Sequence, residues 1–228
     1  MKPTVLLFDI DGTLITSGGA GRRAITRAFE LVYGRADACD HFSFSGMTDL
    51  AIVRLGLEAI GAAVTASAIE GLLSSYLHEL ELEVARVEDA RYRVHAGMHE
   101  AIAAGHAHGC AVGLGTGNVR RGAITKLRRV KLDGRFDFGG FGDDHELRPE
   151  LIRRGAERGA EKLGRRLDEV RVVVIGDTPK DVDAAKAIGA ECVAVATGDH
   201  SIEALLAAGA TRAFADLTAT GALESLLG

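Results

Sequence analysis

Residues Val5-Leu6-Leu7-Phe8 form an uninterrupted apolar run, and Asp9-Ile10-Asp11-Gly12-Thr13 sets two carboxylates two positions apart against its end. A short apolar run closed by a turn residue reads as a buried strand whose last residues carry reactive acids. Two aspartates at the edge of a core are costly to leave unpaired, so a divalent cation or another positive partner is the expected compensation. Phosphate and magnesium chemistry is the reading that follows.

The rest of the chain tells where such a strand would sit. After Leu14, Ser17-Gly18-Gly19-Ala20-Gly21 reads as a flexible connection. Three helical stripes come next. Ala24, Ile25, Ala28, Phe29 and Val32 end at Gly34; Leu50, Val53, Leu57 and Ile60 end at Gly61; a longer stripe runs from Ile69 to Val84. From His95 the pattern alternates between helix and strand. Strands are expected at 110–114, 136–141, 171–175 and 192–195, and helices over about 97–107, around Ile124, Leu127 and Val130, over 151–163, and through Val182 to Ile188.

Alternation of this kind predicts an α/β fold: a doubly wound parallel sheet, Rossmann-like, with helices on both faces and ligands beyond the carboxyl ends of its strands. Asp9, Thr116 and Asp177 each fall just past such an end. The expected division is an α/β catalytic core of residues 1–14 plus 93–228 and an all-helical cap domain of residues 15–92.

Composition narrows the function classes. With 47% hydrophobic residues among 228, a packed core is within reach. The net charge of -5 comes from 27 basic and 32 acidic residues spread along the chain, which provides no field for nucleic acid or an anionic membrane. Cys39, Cys110 and Cys192 are far apart and suggest neither a zinc site nor a disulfide framework. The opening residues suit neither a secretory signal nor a membrane span, so a soluble cytoplasmic protein is expected.

Asp9-Ile10-Asp11-Gly12-Thr13, Thr116 at the end of a later strand, a basic residue near position 148, and Gly176-Asp177-Thr178-Pro179-Lys180-Asp181 together resemble the haloacid dehalogenase-like hydrolase superfamily. The helical insertion just after the first motif is similar to that of the phosphoglycolate phosphatase and phosphomutase branch. The resemblance implies that Asp9 attacks phosphorus and becomes an aspartyl phosphate, while Asp11 serves as general acid and then base. It also implies Mg²⁺ bound by Asp9, the Asp11 carbonyl and Asp177, with Asp181 either a further ligand or a residue that orients its neighbours and caps a helix. Gly12, Thr116, Gly117 and Asn118 would bind the substrate phosphoryl group.

The third motif departs from the family, which usually places Lys before Pro where this chain has Arg148-Pro149. Arg148 is the preferred catalytic cation, able to grip phosphate with two donors, and Lys126 is the competing candidate. Gly113-Leu114-Gly115-Thr116-Gly117-Asn118 fails as a dinucleotide loop because Asn118 stands at the third glycine position. His106 and His108 read as solvated surface, and the basic run from Arg120 to Lys131 as the wet face of a helix. In the insertion, the loop Phe44–Asp49 is either a helix start or a segment facing the active site, and Arg22 and Arg23 could meet an anionic substrate. The expected function is a magnesium-dependent phosphatase acting on a small phosphorylated metabolite, as a monomer or homodimer. A phosphomutase is the alternative, and a non-enzymatic phosphoaspartate switch a more distant one.

Overall fold

The structure is a computed structural model that describes residues 2–228. The chain opens with β1 (Thr4–Phe8), then β2 (Ile15–Thr16), and enters three helices: α1 (Ala20–Tyr33), α2 (Asp49–Ala59) and α3 (Ala66–Arg86). It returns through β3 (Arg93–Val94) to α4 (Met98–Ala107), β4 (Ala111–Gly115), α5 (Arg120–Arg129), β5 (Gly139–Gly140) and α6 (Arg148–Lys162). β6 (Arg171–Gly176), α7 (Pro179–Ala187), β7 (Glu191–Val195), α8 (Ile202–Ala208), β8 (Arg212–Phe214) and α9 (Ala222–Leu227) complete it.

Six strands form one parallel sheet in the order β5-β4-β1-β6-β7-β8. All of β1 is buried, and its alternation divides the interior. Leu6 and Phe8 join Val112, Leu114, Val173 and Ile175 in the larger cluster; Val5 and Leu7 join Val172, Val174, Leu151 and Ile152 in the other. Both faces are therefore covered, as continuous apolar runs require. Phe8 pairs with Leu114 on one side and Ile175 on the other. That register brings the residues following all three strands, Asp9, Thr116 and Asp177, to one edge.

The expected strand at 136–141 shrinks to Gly139–Gly140. The cause is steric. A Cβ at Gly140 would lie 1.8 Å from the Leu151 carbonyl oxygen, and one at Gly155 would lie 2.7 Å from the Gly140 backbone nitrogen, so α6 rests backbone to backbone on this edge strand. β8, α8 and α9 had no counterpart in the sequence reading, and Ile15–Thr16 forms a strand where residues 15–92 were expected to be wholly helical. β2 pairs antiparallel with β3, so the entry and exit of the inserted helices are tied together.

The inserted helices keep their expected ends. Gly34 adopts φ 68° and donates its N–H to the Phe29 and Glu30 carbonyls, while Thr48 and Thr65 cap α2 and α3 by accepting N–H groups of Ala51 and Ala68. Ile25, Phe29, Leu57, Tyr76 and Leu80 share the larger core cluster with Phe8, Val119 and Leu127, so the insert packs on the sheet domain through one continuous apolar body. The helix α5 is rotated from the expected stripe: Gly122, Ala123, Lys126 and Leu127 face inward. Arg129 also turns in, bonding to the Val84 and Val87 carbonyls and to Asp89 Oδ1, so the basic run is not simply a wet face.

Gly140→Ala forces a methyl group into backbone that cannot yield cheaply. It is expected to cost about 1–3 kcal/mol, as overpacking does. For a chain of this length that lowers Tm by about 2–4 °C per kcal/mol, readable by calorimetry. An unchanged Tm would show that β5 and α6 can separate freely.

Candidate active site

Asp9 follows β1 directly; its N–H donates to the Ile175 carbonyl at 2.9 Å and its carboxylate is almost fully buried. Arg148, the first residue of α6, places Nη2 2.8 Å from Asp9 Oδ2 and Nε 2.9 Å from Asp181 Oδ1. Asp181 Oδ2 in turn accepts the Thr178 N–H at 3.0 Å and the Thr178 hydroxyl at 2.7 Å, the reciprocal pattern that starts α7. Asp177 accepts the Thr13 hydroxyl at 2.9 Å. One carboxylate oxygen from each of Asp9, Asp177 and Asp181 lies within 4.8 Å of the others.

Three buried carboxylates lie about a single guanidinium, and the proton affinities of Asp9 and Asp177 reflect it. Burial, only partly offset by Arg148, pushes Asp9 up to about 6. Burial and the charges of Asp181 and Asp9 push Asp177 up to about 8. Arg148 is raised despite burial, because Asp181 and Asp9 both hold its charge. The donor set is all oxygen and net negative, which suits a hard divalent cation. Asp181 spends its oxygens on Arg148 and Thr178, leaving Asp9 and Asp177 as the carboxylates with capacity for an ion.

Glycines clear the space. A Cβ at Gly12 (φ 81°) would come within 2.3 Å of Asp177 Oδ2, and one at Gly198 within 1.9 Å. Gly12 thus makes room for Asp177 as well as lining the cavity.

Asp11 faces a different partner. Its Oδ2 accepts from Lys126 Nζ at 2.5 Å and Asn118 Nδ2 at 2.9 Å, and its Oδ1 from the Ser17 hydroxyl at 3.0 Å. Burial alone would raise this carboxyl, but Lys126, Asn118 and Ser17 together hold it below its ordinary value. Lys126 Nζ also donates to Asn118 Oδ1 at 2.6 Å, and Asn118 Nδ2 to the hydroxyl of the fully buried Thr116 at 2.9 Å. The two candidate cations are therefore not alternatives: both are buried, Arg148 on the Asp9 side and Lys126 on the Asp11 side.

Between them lies a cavity of about 440 Å³, lined from the core by Asp9, Asp11, Asn118, Lys126, Arg148 and Asp177. From the insert, the loop Phe44–Asp49 faces it, together with Arg22, Ile25 and Tyr76. Arg22 stacks 3.8 Å from the Phe44 ring centroid, whereas Arg23 is engaged by Glu83 at 2.6 Å. The loop is fastened from below: Lys180 Nζ donates to the Ser45 carbonyl at 2.9 Å, Thr48 Oγ1 to the Glu146 carbonyl at 2.8 Å, and Arg54 Nε to Glu146 Oε1 at 2.6 Å. His106 and His108 bind separate backbone carbonyls and share no site. The sequence gives Thr13 a place in the first motif but no role of its own, and it does not disclose the inward use of Asp49 or of Tyr76, which sits on a plain apolar stripe.

Fold and site together define a doubly wound α/β protein with a carboxylate-lined pocket at the carboxyl edge of its sheet and helices inserted over it. The family model of haloacid dehalogenase-like hydrolases matches residues 3–189, and the chain belongs to that family. No curated protein matches it. Solved structures with the same fold include a hydrolase from Pseudomonas syringae, 23% identical with TM-score 0.66 over 93% of each chain. A protein from Thermotoga maritima provisionally described as a β-phosphoglucomutase is 25% identical, with TM-score 0.61 over 98% of each chain. Another, from Lactobacillus delbrueckii subsp. bulgaricus and provisionally described as a phosphoglycolate phosphatase, is 21% identical, with TM-score 0.67 over 100% of each. Among the described residues no helix is long and apolar enough to cross a membrane.

The raised carboxyls give a pH signature. In chelator, each contributes stability that is complete below about pH 4, the unfolded value, and is lost as pH rises through about 6 for Asp9 and about 8 for Asp177. A bound divalent cation removes that loss, so the Tm difference between Mg²⁺-saturated and chelated protein is expected to widen from about pH 5 to about pH 8. Gly198→Ala, which displaces Asp177, is expected to shrink the difference. A Tm indifferent to Mg²⁺ at both pH values would refute cation binding at this cluster.

Proposed function

We propose that the chain is a Mg²⁺-dependent phosphatase that hydrolyses a small phosphomonoester through an aspartyl phosphate on Asp9. The observation that carries this reading is the division of the pocket into two sides. On one, Asp9 lies with Asp177 and Arg148; on the other, Asp11 lies with Lys126 and Asn118. A nucleophile and an acid/base group need different surroundings, and these two aspartates have them.

Asp9 and Asp177, with the Asp11 carbonyl, would hold Mg²⁺, which offsets repulsion between carboxylate and phosphate when bound. Asp9 Oδ attacks phosphorus, the ester oxygen leaves with its electron pair, and Asp11 supplies its proton. Water then attacks the phosphoaspartate, Asp11 takes the water proton, and Asp9 is released with inorganic phosphate. At rest Lys126 favours the ionised form of Asp11, so the proton Asp11 donates is one it takes up from solvent as substrate binds. A phosphoryl group entering between Lys126 and Arg148 competes for the ammonium, which leaves Asp11 freer to carry the proton it must donate. The Gly117 N–H, Asn118 and Thr116 would complete the phosphoryl site. Residues 15–92 act as the cap that excludes water during transfer.

A cavity of about 440 Å³ suits a small phosphorylated metabolite. Three unpaired cysteines fit a cytoplasmic setting. The likeness to the Thermotoga maritima protein keeps a phosphomutase as the second reading. Asp11, placed and partnered for proton transfer, weighs against a phosphoaspartate switch without turnover.

A panel of phosphorylated metabolites, read by phosphate release and by isomer formation, tests the proposal. Phosphate released in step with alcohol is expected, abolished by chelation and by Asp9→Asn. Arg148→Ala and Lys126→Ala should each lower kcat by about 10²–10³-fold, as loss of one charged stabiliser does. Isomer without phosphate identifies a mutase, and turnover surviving Asp9→Asn rules the mechanism out.

A further inference from the structure

Asp49 opens α2 in the insert, is buried, and takes no part in the steps above. Thr48 already caps that helix, accepting the Ala51 N–H at 3.2 Å. The Asp49 carboxylate turns instead to the core: its Oδ2 accepts the Val119 N–H at 2.9 Å, while its own N–H donates to the Gly117 carbonyl at 2.8 Å. One residue of the insert thus grips the loop after β4 on both sides of Asn118. The approach is close, since a Cβ at Gly117 would stand 2.2 Å from the Met47 carbonyl oxygen.

Three other polar backbone groups of this loop are held within the core. The Thr116 N–H donates to the Gly140 carbonyl at 3.0 Å, the Asn118 carbonyl accepts the Gly142 N–H at 2.8 Å, and the Asn118 N–H reaches Thr116 Oγ1 at 3.3 Å. Among the described residues the Gly117 N–H has no partner, and Gly117 is one of the residues that line the cavity. Val119 is the N-cap of α5 and supplies no side-chain cap, and its own N–H is held by Asp49 Oδ2. Without the Asp49 carboxylate, the Val119 N–H beside the free donor would lose its partner, while the Asp49 backbone N–H would still hold the Gly117 carbonyl.

We infer that Asp49 is a positioning residue that sets the shape of the loop Thr116–Val119 from the insert, so that the loop is fully formed for a phosphoryl group only when the insert is seated. The inference rests on reading this loop as the phosphoryl site. Its logic is preorganisation: a donor fixed beforehand costs little to align when the anion arrives.

The test uses inorganic phosphate as the probe, titrated calorimetrically into the whole chain with Mg²⁺ and, separately, as an inhibitor of chromogenic ester turnover. Asp49→Ala is expected to weaken phosphate binding about tenfold, the order of effect for stranding a buried partner, and to raise KM similarly. Asp49→Asn, whose amide oxygen can accept the Val119 N–H, should stay within about threefold of wild type, and Mg²⁺ half-saturation should not move in either. Should Asp49→Ala melt below the assay temperature, Val119→Pro replaces it. Val119 has φ -60°, a value proline adopts, so the substitution deletes the donor with Asp49 in place and should reproduce the defect.

Unchanged phosphate binding in the variant tested, or equal loss in Asp49→Asn and Asp49→Ala, would overturn the inference. Phosphate binding that depends on Asp49 in a chain that hydrolyses no ester would overturn the proposed function and leave this inference standing. A wild-type chain that binds no phosphate would remove the loop assignment on which it rests.

Discussion

The contact between Arg148 and two buried carboxylates, Asp9 and Asp181, is the interaction on which the rest of the site depends. Removing such charges from water is expensive, and one guanidinium cannot balance three aspartates. The chain spends backbone geometry to keep them together. Gly12 and Gly198 leave room for Asp177, and Gly176 for Asp181, whose Cγ would sit 2.3 Å from a Cβ there. A Gly-Asp pair at the end of β6 is therefore a packing requirement before it is a motif. The charge left uncompensated on Asp9 and Asp177 is what makes the cluster receptive to a cation.

Lys126 solves the matching problem on the other side. Its ammonium lies between Asp11 and the Asn118 amide oxygen, and that amide's nitrogen reaches both Asp11 and Thr116. Phosphoryl-binding candidates and the candidate acid/base group thus form one network, while nucleophile and cation cluster form another. Separate networks allow two aspartates two residues apart to titrate in opposite directions: Asp9 upward, Asp11 downward. Neither trend follows from sequence spacing, because burial in the fold raises Asp9 against the pull of Arg148, while Lys126, more than 100 residues away, lowers Asp11.

That contrast marks how much the sequence discloses. Strands such as Val5–Phe8 and Val172–Ile175 are legible because burial on both faces leaves no polar position in them. The acids beyond their ends are legible for the same reason, since nothing but function or a cap explains a carboxylate there. β5 is legible only in outline: the strand expected over 136–141 is cut to Gly139-Gly140, where α6 rests directly on the backbone. Lys126 was read as a candidate but also as part of a wet helix face, because the apolar positions Ile124, Leu127 and Val130 suggested a stripe slightly rotated from the one buried. A lysine three residues after Ala123, and so on the same helix face, was the available signal. The pairing of Asp49 with the loop after β4 left none, since Thr48-Asp49 is fully accounted for as a helix start.

The insert is attached unevenly, and the asymmetry bears on how the pocket is covered. Near its ends, β2 pairs with β3, Arg129 from the core bonds to carbonyls at the end of α3, and the Tyr92 hydroxyl donates to the Lys126 carbonyl at 2.8 Å, all beside a continuous apolar cluster. Over the pocket, the loop Phe44–Asp49 is held chiefly by polar bonds to Glu146, Arg148, Lys180, Gly117 and Val119. Each neutral bond of this kind contributes about 0.5–1.5 kcal/mol net and each charged one about 1.5–3, because water replaces it when it opens. Burying the apolar side chains near the ends contributes as much per residue as the strongest of these bonds and has no such substitute. The loop over the pocket is thus the cheaper part of the attachment to release. Glu146 and Lys180, two of the residues that hold it, neighbour Arg148 and Asp181 in the chain. Whatever displaces Arg148 or Asp181 also disturbs the seat of the loop, so the charge balance beneath the pocket and the cover above it are not independent.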